Sequence, residues 1–199
     1  EMGEKVVLLG LGFWGSRWLK IILDSPRCEL CGVSGSRKEL DRAAVEFGLS
    51  KEILYDDFRK AIRQSGANIA VVVLPGALHF EADCMALQQG MHVITEKPLA
   101  MSLEEVEKLL AVKKEHPGQK FMASQNYRWR PHNRTIKRAL ESGMVGRVES
   151  VLIEFRRNED LQGYRGGLAC PILEDMSIHH FDLLRFFTGS DCEEVFCRT

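Results

Sequence analysis

The sequence predicts an α/β fold with a doubly wound parallel sheet, followed by an incomplete α+β domain with a mainly antiparallel sheet. The first observation is that short apolar segments alternate with amphipathic helical patterns through the first 124 of the 199 residues. The second is that residues 147–157 instead alternate apolar and polar positions, as a strand with one covered face does. We therefore place a boundary between residues 122 and 126, and expect domains at 1–124 and 125–199.

The segment 5–18 holds the pattern around which the first domain is built. Residues 6–9 are an apolar run typical of a strand buried on both faces, and a helical pattern begins soon after it. Between the two, glycines stand at G-x-G-x-x-G spacing: Gly10, Gly12 and Gly15. In this setting the first glycine permits a tight turn, the second lets a pyrophosphate approach, and the third lets the helix pack closely. A diphosphate would then lie at a helix N-terminus, so the segment predicts a Rossmann-type nucleotide site rather than a plain turn.

Five further short segments have the character of strands in the same sheet. They are residues 29–34, 53–55, 68–74, 91–95 and 120–125. The run 68–74 is the most apolar and is expected to be central. Ser102 and Glu105 form an S-x-x-E capping box that predicts the start of a helix.

The turn after the second strand bears on which dinucleotide is bound. NAD sites usually place a carboxylate there for the ribose 2′-hydroxyl. This turn instead offers Ser36, Arg37 and Lys38, with no carboxylate until Glu39. Hydroxyls beside cations suit a 2′-phosphate, so we expect NADP, with NAD as second choice. The alternative is that Arg37 and Lys38 only begin an exposed helix.

Two later segments add polar groups at strand ends. Glu96, Lys97 and Pro98 follow the fifth strand, on the side where open α/β sheets bind ligands. Taken alone, Lys97 reads as a surface lysine in a turn. His79 stands near the start of a helix and either borders the cofactor or has a structural role there.

Composition excludes several classes of protein. The formal net charge of −1 provides no basic excess for binding nucleic acid. The longest apolar run, residues 69–74, is too short to span a bilayer, and no apolar leader opens the chain. The six cysteines are scattered, and the one C-x-x-C, Cys28 and Cys31, runs into a strand whose alternate faces suit neither a metal nor a redox pair. We therefore expect a cytoplasmic protein with no metal and no membrane partner.

The second half of the chain carries its own polar cluster. If residues 174–182 form one regular helix, then Asp175, His179 and Asp182 fall within an arc of about 60°, and His180 points away. His179 is then a candidate general base. A metal site and a buried polar network are the alternatives.

Aromatic and basic residues are mixed just after the expected boundary. They are Tyr127, Arg128, Trp129, Arg130, Arg134, Lys137 and Arg138. The overall charge favours a solvated helix face with packing anchors over a nucleic-acid surface.

Together these motifs resemble those of the Gfo/Idh/MocA oxidoreductases. The resemblance is carried by Gly10-x-Gly12-x-x-Gly15, by Leu74-Pro75 with His79, by Glu96-Lys97-Pro98, and by Asp175-x-Ser177-x-His179-x-x-Asp182. It implies a Rossmann domain followed by an open, mainly antiparallel sheet domain. It also implies hydride transfer between a nicotinamide cofactor and a sugar, polyol or related hydroxyl or keto substrate.

The resemblance also implies roles for individual residues. Lys97 would hydrogen-bond the reacting oxygen, His179 would exchange the hydroxyl proton, and Asp175 would bind substrate, with Asp182 orienting His179. The substrate-binding set is expected to be Lys97, Arg128, Asp175 and His179. The cofactor-binding set is expected to be Gly10, Gly12, Phe13, Trp14, Gly15, Ser36, Arg37, Lys38, Leu74, Pro75, His79, Glu96 and Lys97.

Members of this family are longer than this chain. We therefore expect residues 125–199 to be the N-terminal part of a substrate and oligomerisation domain, with a further strand beginning at 194–197. An unpaired sheet edge would be covered by a second copy or by a partner, and we expect a homo-oligomer. A non-catalytic NADP-binding sensor or interaction protein is the alternative function, and lyase chemistry with a recycled cofactor also stays open.

Overall fold

A computed structural model of the chain describes residues 3–156, 167–168 and 170–198. The chain divides into two compact units, Glu1–Ser124 and Gln125–Thr199. Each unit is built from a different pattern of elements.

The first unit contains a six-stranded sheet in the order β3-β2-β1-β4-β5-β6, with every neighbouring pair parallel. Its strands are β1 (Glu4–Leu9), β2 (Cys28–Ser34), β3 (Leu54–Tyr55), β4 (Ile69–Val72), β5 (His92–Thr95) and β6 (Phe121–Ala123). The predicted doubly wound parallel sheet is confirmed. The strand order reverses between β1 and β4, and open α/β sheets bind ligands at such a switch point.

Five helices connect these strands. They are α1 (Phe13–Asp24), α2 (Arg37–Phe47), α3 (Phe58–Gln64), α4 (His79–Gln88) and α5 (Leu103–Glu115). The predicted start of α5 is confirmed, since the Ser102 hydroxyl accepts a hydrogen bond from the Glu105 N–H at 3.2 Å. The Glu105 carboxylate accepts from the Met101 N–H instead of completing the reciprocal half of the box.

The core of this unit lies on both faces of the sheet. Val7 and Leu9 of β1 pack in a cluster with α3, α4 and α5, whereas Leu8 packs with α1 and α2 on the opposite face. Residues 6–9 of β1 are therefore buried whichever face of the sheet they lie on, which explains why they form a continuous apolar run. Each buried leucine contributes about 1.5–3 kcal/mol.

The second unit is helical in its described part. It contains α6 (Pro131–Glu141), a π-helical turn (Ile172–Met176) and α7 (Ser177–Thr188), after a short 3₁₀ turn (Asn126–Trp129).

The strand predicted at 147–157 is wrong over its described part. Residues 147–156 form no strand, and residue 157 lies outside the described residues. The strand expected from 194 is also not formed within 194–197. A strand needs a partner for its backbone groups, and every strand pairing among the described residues belongs to the first unit. The alternation of apolar and polar residues in 147–156 was therefore not sufficient to predict an antiparallel sheet.

Candidate functional site

The glycine loop after β1 is closely packed at two of its three glycines. Gly10 has φ +99°, and a Cβ at this position would collide with the carbonyl of Val73, just after β4. A Cβ on Gly15 would collide with the carbonyl of Gly10. The first glycine thus permits the turn against the neighbouring strand, and the third lets α1 approach the loop.

The N-terminus of α1 has the features of an anion site. Among the described residues, no side chain caps this terminus, and its first turn carries no acidic residue. The first N–H groups and the positive end of the helix dipole therefore suit a phosphate group. Arg42 adds a cation nearby, since its Nη2 donates to the Ser16 hydroxyl at 3.2 Å. The residues present fit the diphosphate of a dinucleotide.

Two aromatic rings stand at this same helix end. Phe13 is 71% exposed and Trp14 is 51% exposed. Their rings meet edge to face at 5.7 Å, and the Arg17 guanidinium lies 3.7 Å from the centre of the Phe13 ring. Both predicted cofactor contacts therefore lie beside the loop with their rings open to solvent.

The turn after β2 presents a carboxylate toward the glycine loop. Glu39 accepts hydrogen bonds from the Ser36 N–H at 3.0 Å and from the Ser36 hydroxyl at 2.7 Å. A Cβ placed on Gly12 would lie 3.9 Å from the other Glu39 oxygen. Arg37 instead pairs with Asp41 on the exposed side of α2, at 3.2 Å.

The loops after β4 and β5 meet at a buried histidine. His79 is 1% exposed, and its Nδ1 lies 2.6 Å from the carbonyl oxygen of Pro98. Its Nε2 lies 2.7 Å from the carbonyl oxygen of Leu74. The Lys97–Pro98 peptide bond is cis. Of the two roles left open for His79, these contacts support the structural one.

Glu96 is held by a residue that sequence reasoning did not assign to the site. The Trp18 Nε1 donates to a Glu96 carboxylate oxygen at 3.0 Å, and the other oxygen accepts from the Lys97 N–H at 3.3 Å. A partly buried indole N–H needs an acceptor, and this requirement was the available signal. Trp18 links α1 to the segment that carries Lys97.

One buried carboxyl lies a helical turn beyond His79. Neither oxygen of Asp83 has a hydrogen-bond partner among the described residues. Burial raises the pKa of Asp83 from an ordinary 3.8 to about 8, and the nearby Thr95 hydroxyl, which is not in hydrogen-bond geometry, opposes the rise. Burial therefore favours the neutral form of this carboxyl.

In the second unit, a histidine is oriented by two neighbours. His179 is 6% exposed, and its Nδ1 lies 3.0 Å from the amide oxygen of Gln125. The Tyr127 ring stacks on the imidazole at 4.3 Å with an interplanar angle of 5°. Because an amide oxygen only accepts, Nδ1 carries the hydrogen and the lone pair of the neutral ring is on Nε2.

Asp182 is engaged by an arginine. Arg128 donates to both of its carboxylate oxygens, from Nε at 2.7 Å and from Nη2 at 2.6 Å. This hydrogen-bonded pairing raises the pKa of Arg128. The bidentate pair fixes α7 against the 3₁₀ turn that holds Arg128.

The face predicted for this polar cluster is altered by a π-helical turn. Asp175 lies in that turn and is 5% exposed, while His179 and Asp182 lie on α7. The assumed 100° per residue therefore holds only from Ser177 onward. Burial lowers the pKa of the adjacent His180, whose ring lies 5.0 Å from that of Phe155.

The described residues contain no group of three or more His, Cys, Asp or Glu side chains placed to hold a metal ion. The six cysteines are free thiols, and burial raises the pKa of the Cys31 thiol. A raised pKa disfavours the thiolate, which agrees with a packing role for the C-x-x-C segment. None of the helices in the described part of the chain is long and apolar enough to cross a membrane.

Comparison with known families accounts for most of the chain. A family described as "Oxidoreductase family, NAD-binding Rossmann fold" matches residues 4–125, and "GFO/IDH/MocA C-terminal domain" matches residues 133–199. The chain belongs to the Gfo/Idh/MocA family of oxidoreductases. The family identified from the sequence motifs is therefore confirmed.

Relatives within the family include named sugar and polyol dehydrogenases. Myo-inositol 2-dehydrogenase of Thermotoga maritima is 28% identical over 96% of this chain and 57% of its own length. D-apiose dehydrogenase of Paraburkholderia graminis is 28% identical over 93% of this chain and 50% of its own length. Among solved structures, apo scyllo-inositol dehydrogenase of Lactobacillus casei superimposes with a TM-score of 0.81 at 26% identity, covering 94% of this chain and 55% of that one. The chain thus spans about half the length of these Gfo/Idh/MocA relatives.

Proposed function

We propose that this protein is an NAD(P)-dependent oxidoreductase acting on the CH–OH group of a sugar, polyol or related substrate, or on the corresponding ketone. The observation that carries the proposal is the uncapped N-terminus of α1, which lies between the close-packed Gly10 and Gly15 in a chain of this family. Such a terminus suits the diphosphate of a dinucleotide. The named relatives are dehydrogenases of inositol and apiose, which supports a polyhydroxylated substrate.

The proposed cofactor contacts come from three loops at the carboxyl ends of strands. The glycine loop would hold the diphosphate, the turn after β2 would face the adenosine ribose, and the loops after β4 and β5 would face the nicotinamide half. When bound, the cofactor supplies or accepts the hydride.

The choice between NAD and NADP depends on the turn after β2. The sequence alone favours NADP because of Arg37 and Lys38. The placement of Glu39 supports NAD, since its carboxylate faces Gly12 and would repel a 2′-phosphate while accepting from a 2′-hydroxyl. Arg37, which the sequence predicts to bind the phosphate, pairs with Asp41. We therefore propose that NAD is preferred.

We assign the chemistry to Lys97, His179 and Asp175. Lys97 follows β5 at the carboxyl edge of the sheet, where its ammonium would donate a hydrogen bond to the reacting oxygen and stabilise negative charge there. His179 would take the hydroxyl proton on oxidation and return it on reduction, through the lone pair that the Gln125 contact leaves on Nε2. Asp175 would accept hydrogen bonds from substrate hydroxyls.

We propose that Arg128 contacts the substrate and also holds Asp182 in place. Its Nε and Nη2 donate to Asp182, so a substrate hydroxyl would be met by Nη1. Asp182 would then fix α7, and with it His179, through Arg128.

We also propose that the protein is a homo-oligomer. Large apolar side chains of the second unit are exposed: Val148, Val151, Leu152, Val195 and Phe196. Exposed apolar groups in this number support a surface that a second copy covers. Light scattering coupled to size exclusion would give the mass of the particle.

A titration tests the function. The protein, expressed from its complete reading frame, is titrated with NADH and NADPH and then mixed with oxidised cofactor and a panel of polyols and sugars. We expect saturable dinucleotide binding and formation of reduced nicotinamide with at least one polyol. Binding without turnover on any hydroxyl or keto compound would favour the sensor alternative, and absence of binding would refute both.

A further inference from the structure

We propose that His79 is a positioning residue, which holds Lys97 in place through Pro98 and the cofactor-facing loop in place through Leu74. This inference rests on the proposed function, because it concerns the placement of the lysine assigned there to the reacting oxygen. His79 would thus contribute to catalysis by positioning other groups and not by exchanging a proton itself.

The geometry of His79 is that of a bridge between two loops. Its two ring nitrogens lie 2.6 Å from the Pro98 carbonyl and 2.7 Å from the Leu74 carbonyl. Carbonyl oxygens only accept, so both contacts are hydrogen bonds when both ring nitrogens carry hydrogen. A neutral ring would satisfy one loop and turn a lone pair toward the other. The ring of His79 therefore spans the two loops, with one nitrogen facing each carbonyl.

Nearby packing leaves these two loops little freedom relative to each other. Gly76 follows Leu74 by two residues, and a Cβ placed on it would lie 3.2 Å from the Pro98 ring. The loops are therefore already in contact at one point, and His79 joins them at two more. The ring is 1% exposed, so water does not replace either bond when it is lost.

Lys97 lies between two anchored neighbours. On one side Glu96 is held by the Trp18 indole at 3.0 Å, and on the other Pro98 is held by His79. The backbone of Lys97 is thus fixed at both ends, although its side chain extends from a loop. A displacement of about 1 Å at a reacting group can cost about 100-fold in rate.

Two amide substitutions separate the two bonds of His79. The amide nitrogen of asparagine occupies roughly the place of Nδ1, and that of glutamine roughly the place of Nε2. His79→Asn therefore keeps the bond to Pro98 and loses that to Leu74, while His79→Gln does the reverse. The pair is matched, because each variant leaves one buried carbonyl without its donor.

The expected result is a split between kinetic constants, measured with the complete reading frame and a substrate found in the screen. His79→Gln should lower kcat by about tenfold or more with the cofactor KM little changed, because Lys97 is released. His79→Asn should raise the cofactor KM severalfold with kcat little changed. Equal effects of the two variants on both constants would overturn the proposal, since a purely structural histidine would give them.

Wild-type protein provides a second measurement if either variant does not fold. Nitrogen NMR of the assigned ring should show a hydrogen on at least one nitrogen of His79 that is protected from exchange with water by its bond to a loop carbonyl. His92 is the internal reference, because its Nδ1 accepts from the Lys120 N–H at 2.8 Å and so carries no hydrogen. A His79 ring with no exchange-protected hydrogen would overturn the proposal. The proposed function fails separately, if the wild-type protein binds no dinucleotide or turns over no hydroxyl or keto compound.

Discussion

The Nδ1 atom of His179 lies 3.0 Å from the amide oxygen of Gln125, and this contact fixes which nitrogen of the imidazole can act as a base. Gln125 stands at the start of the second unit, 54 residues before His179 in sequence. Tyr127 stacks on the ring from the same segment. The segment that opens the second unit therefore sets both the tautomer and the tilt of the proposed base.

Replacing Gln125 tests that orientation. Gln125→Leu should lower kcat roughly 10- to 100-fold, the range for losing the partner that orients a functional histidine. Gln125→Glu keeps an acceptor for the Nδ1 hydrogen and should stay within a few-fold of wild type. Steady-state rates of both variants provide the test. An undiminished kcat for Gln125→Leu would contradict the role of Gln125 in orienting His179.

Glu39 should decide cofactor preference. Glu39→Gln keeps an acceptor for the Ser36 N–H but removes the charge that faces Gly12. We expect the ratio of the NADPH Kd to the NADH Kd to fall roughly tenfold, because repulsion of a 2′-phosphate is relieved. Glu105→Gln, which changes a similar carboxylate at the start of α5, is the matched control and should leave the ratio unchanged. A wild-type protein that prefers NADPH would contradict the role given to Glu39.

The glycines of the loop should respond differently to alanine. Gly15→Ala places a Cβ against the Gly10 carbonyl and should reduce the free energy of unfolding by about 1–3 kcal/mol. At Gly12 a Cβ would meet only the Glu39 side chain within 4 Å, so Gly12→Ala should fold normally and weaken dinucleotide binding about tenfold or more. Gly118→Ala, with nothing within 4 Å, is the control. Thermal melts and titrations separate these effects, and normal cofactor affinity in Gly12→Ala would be inconsistent with the predicted diphosphate site.

Asp83 should make stability depend on pH. Its pKa is raised on folding from 3.8 to about 8, so the folded state holds a proton that the unfolded state releases. The stabilisation is complete below about pH 4 and is lost as the pH rises toward 8, with a slope of about 1.4 kcal/mol per pH unit. Asp83→Asn should abolish this part of the slope and raise the melting temperature at pH 8. Parallel denaturation series from pH 5 to 8 provide the check, and identical slopes for wild type and variant would show that Asp83 ionises in place at little cost.

The sequence predicted the first unit well because local signals there agree with the packing. Every strand of the sheet was predicted within a few residues, and the central strands β1 and β4 are marked by apolar runs covered by helices on both faces. Glycine spacing predicted the loop, and collisions at Gly10 and Gly15 supply its physical reason.

The sequence was less informative about the parts of the site that depend on contacts between residues far apart in the chain. The bond from Trp18 to Glu96 joins residues 78 apart, and the bonds of Gln125 and Arg128 span 54 residues each. The periodicity of apolar and polar residues within a segment does not reveal such pairs. The strand expected at 147–157 is not formed over residues 147–156 for the same reason, because alternation describes a strand's faces and not its partner.

The most direct test of the account is to compare wild type with Lys97→Met for binding and turnover in the same preparation. Lys114→Met on α5 serves as the control for loss of a lysine. We predict that Lys97→Met binds NADH with an affinity within a few-fold of wild type and loses turnover about 100-fold or more, because charge on the reacting oxygen is no longer stabilised. Turnover by Lys97→Met at the wild-type rate would contradict the proposed mechanism.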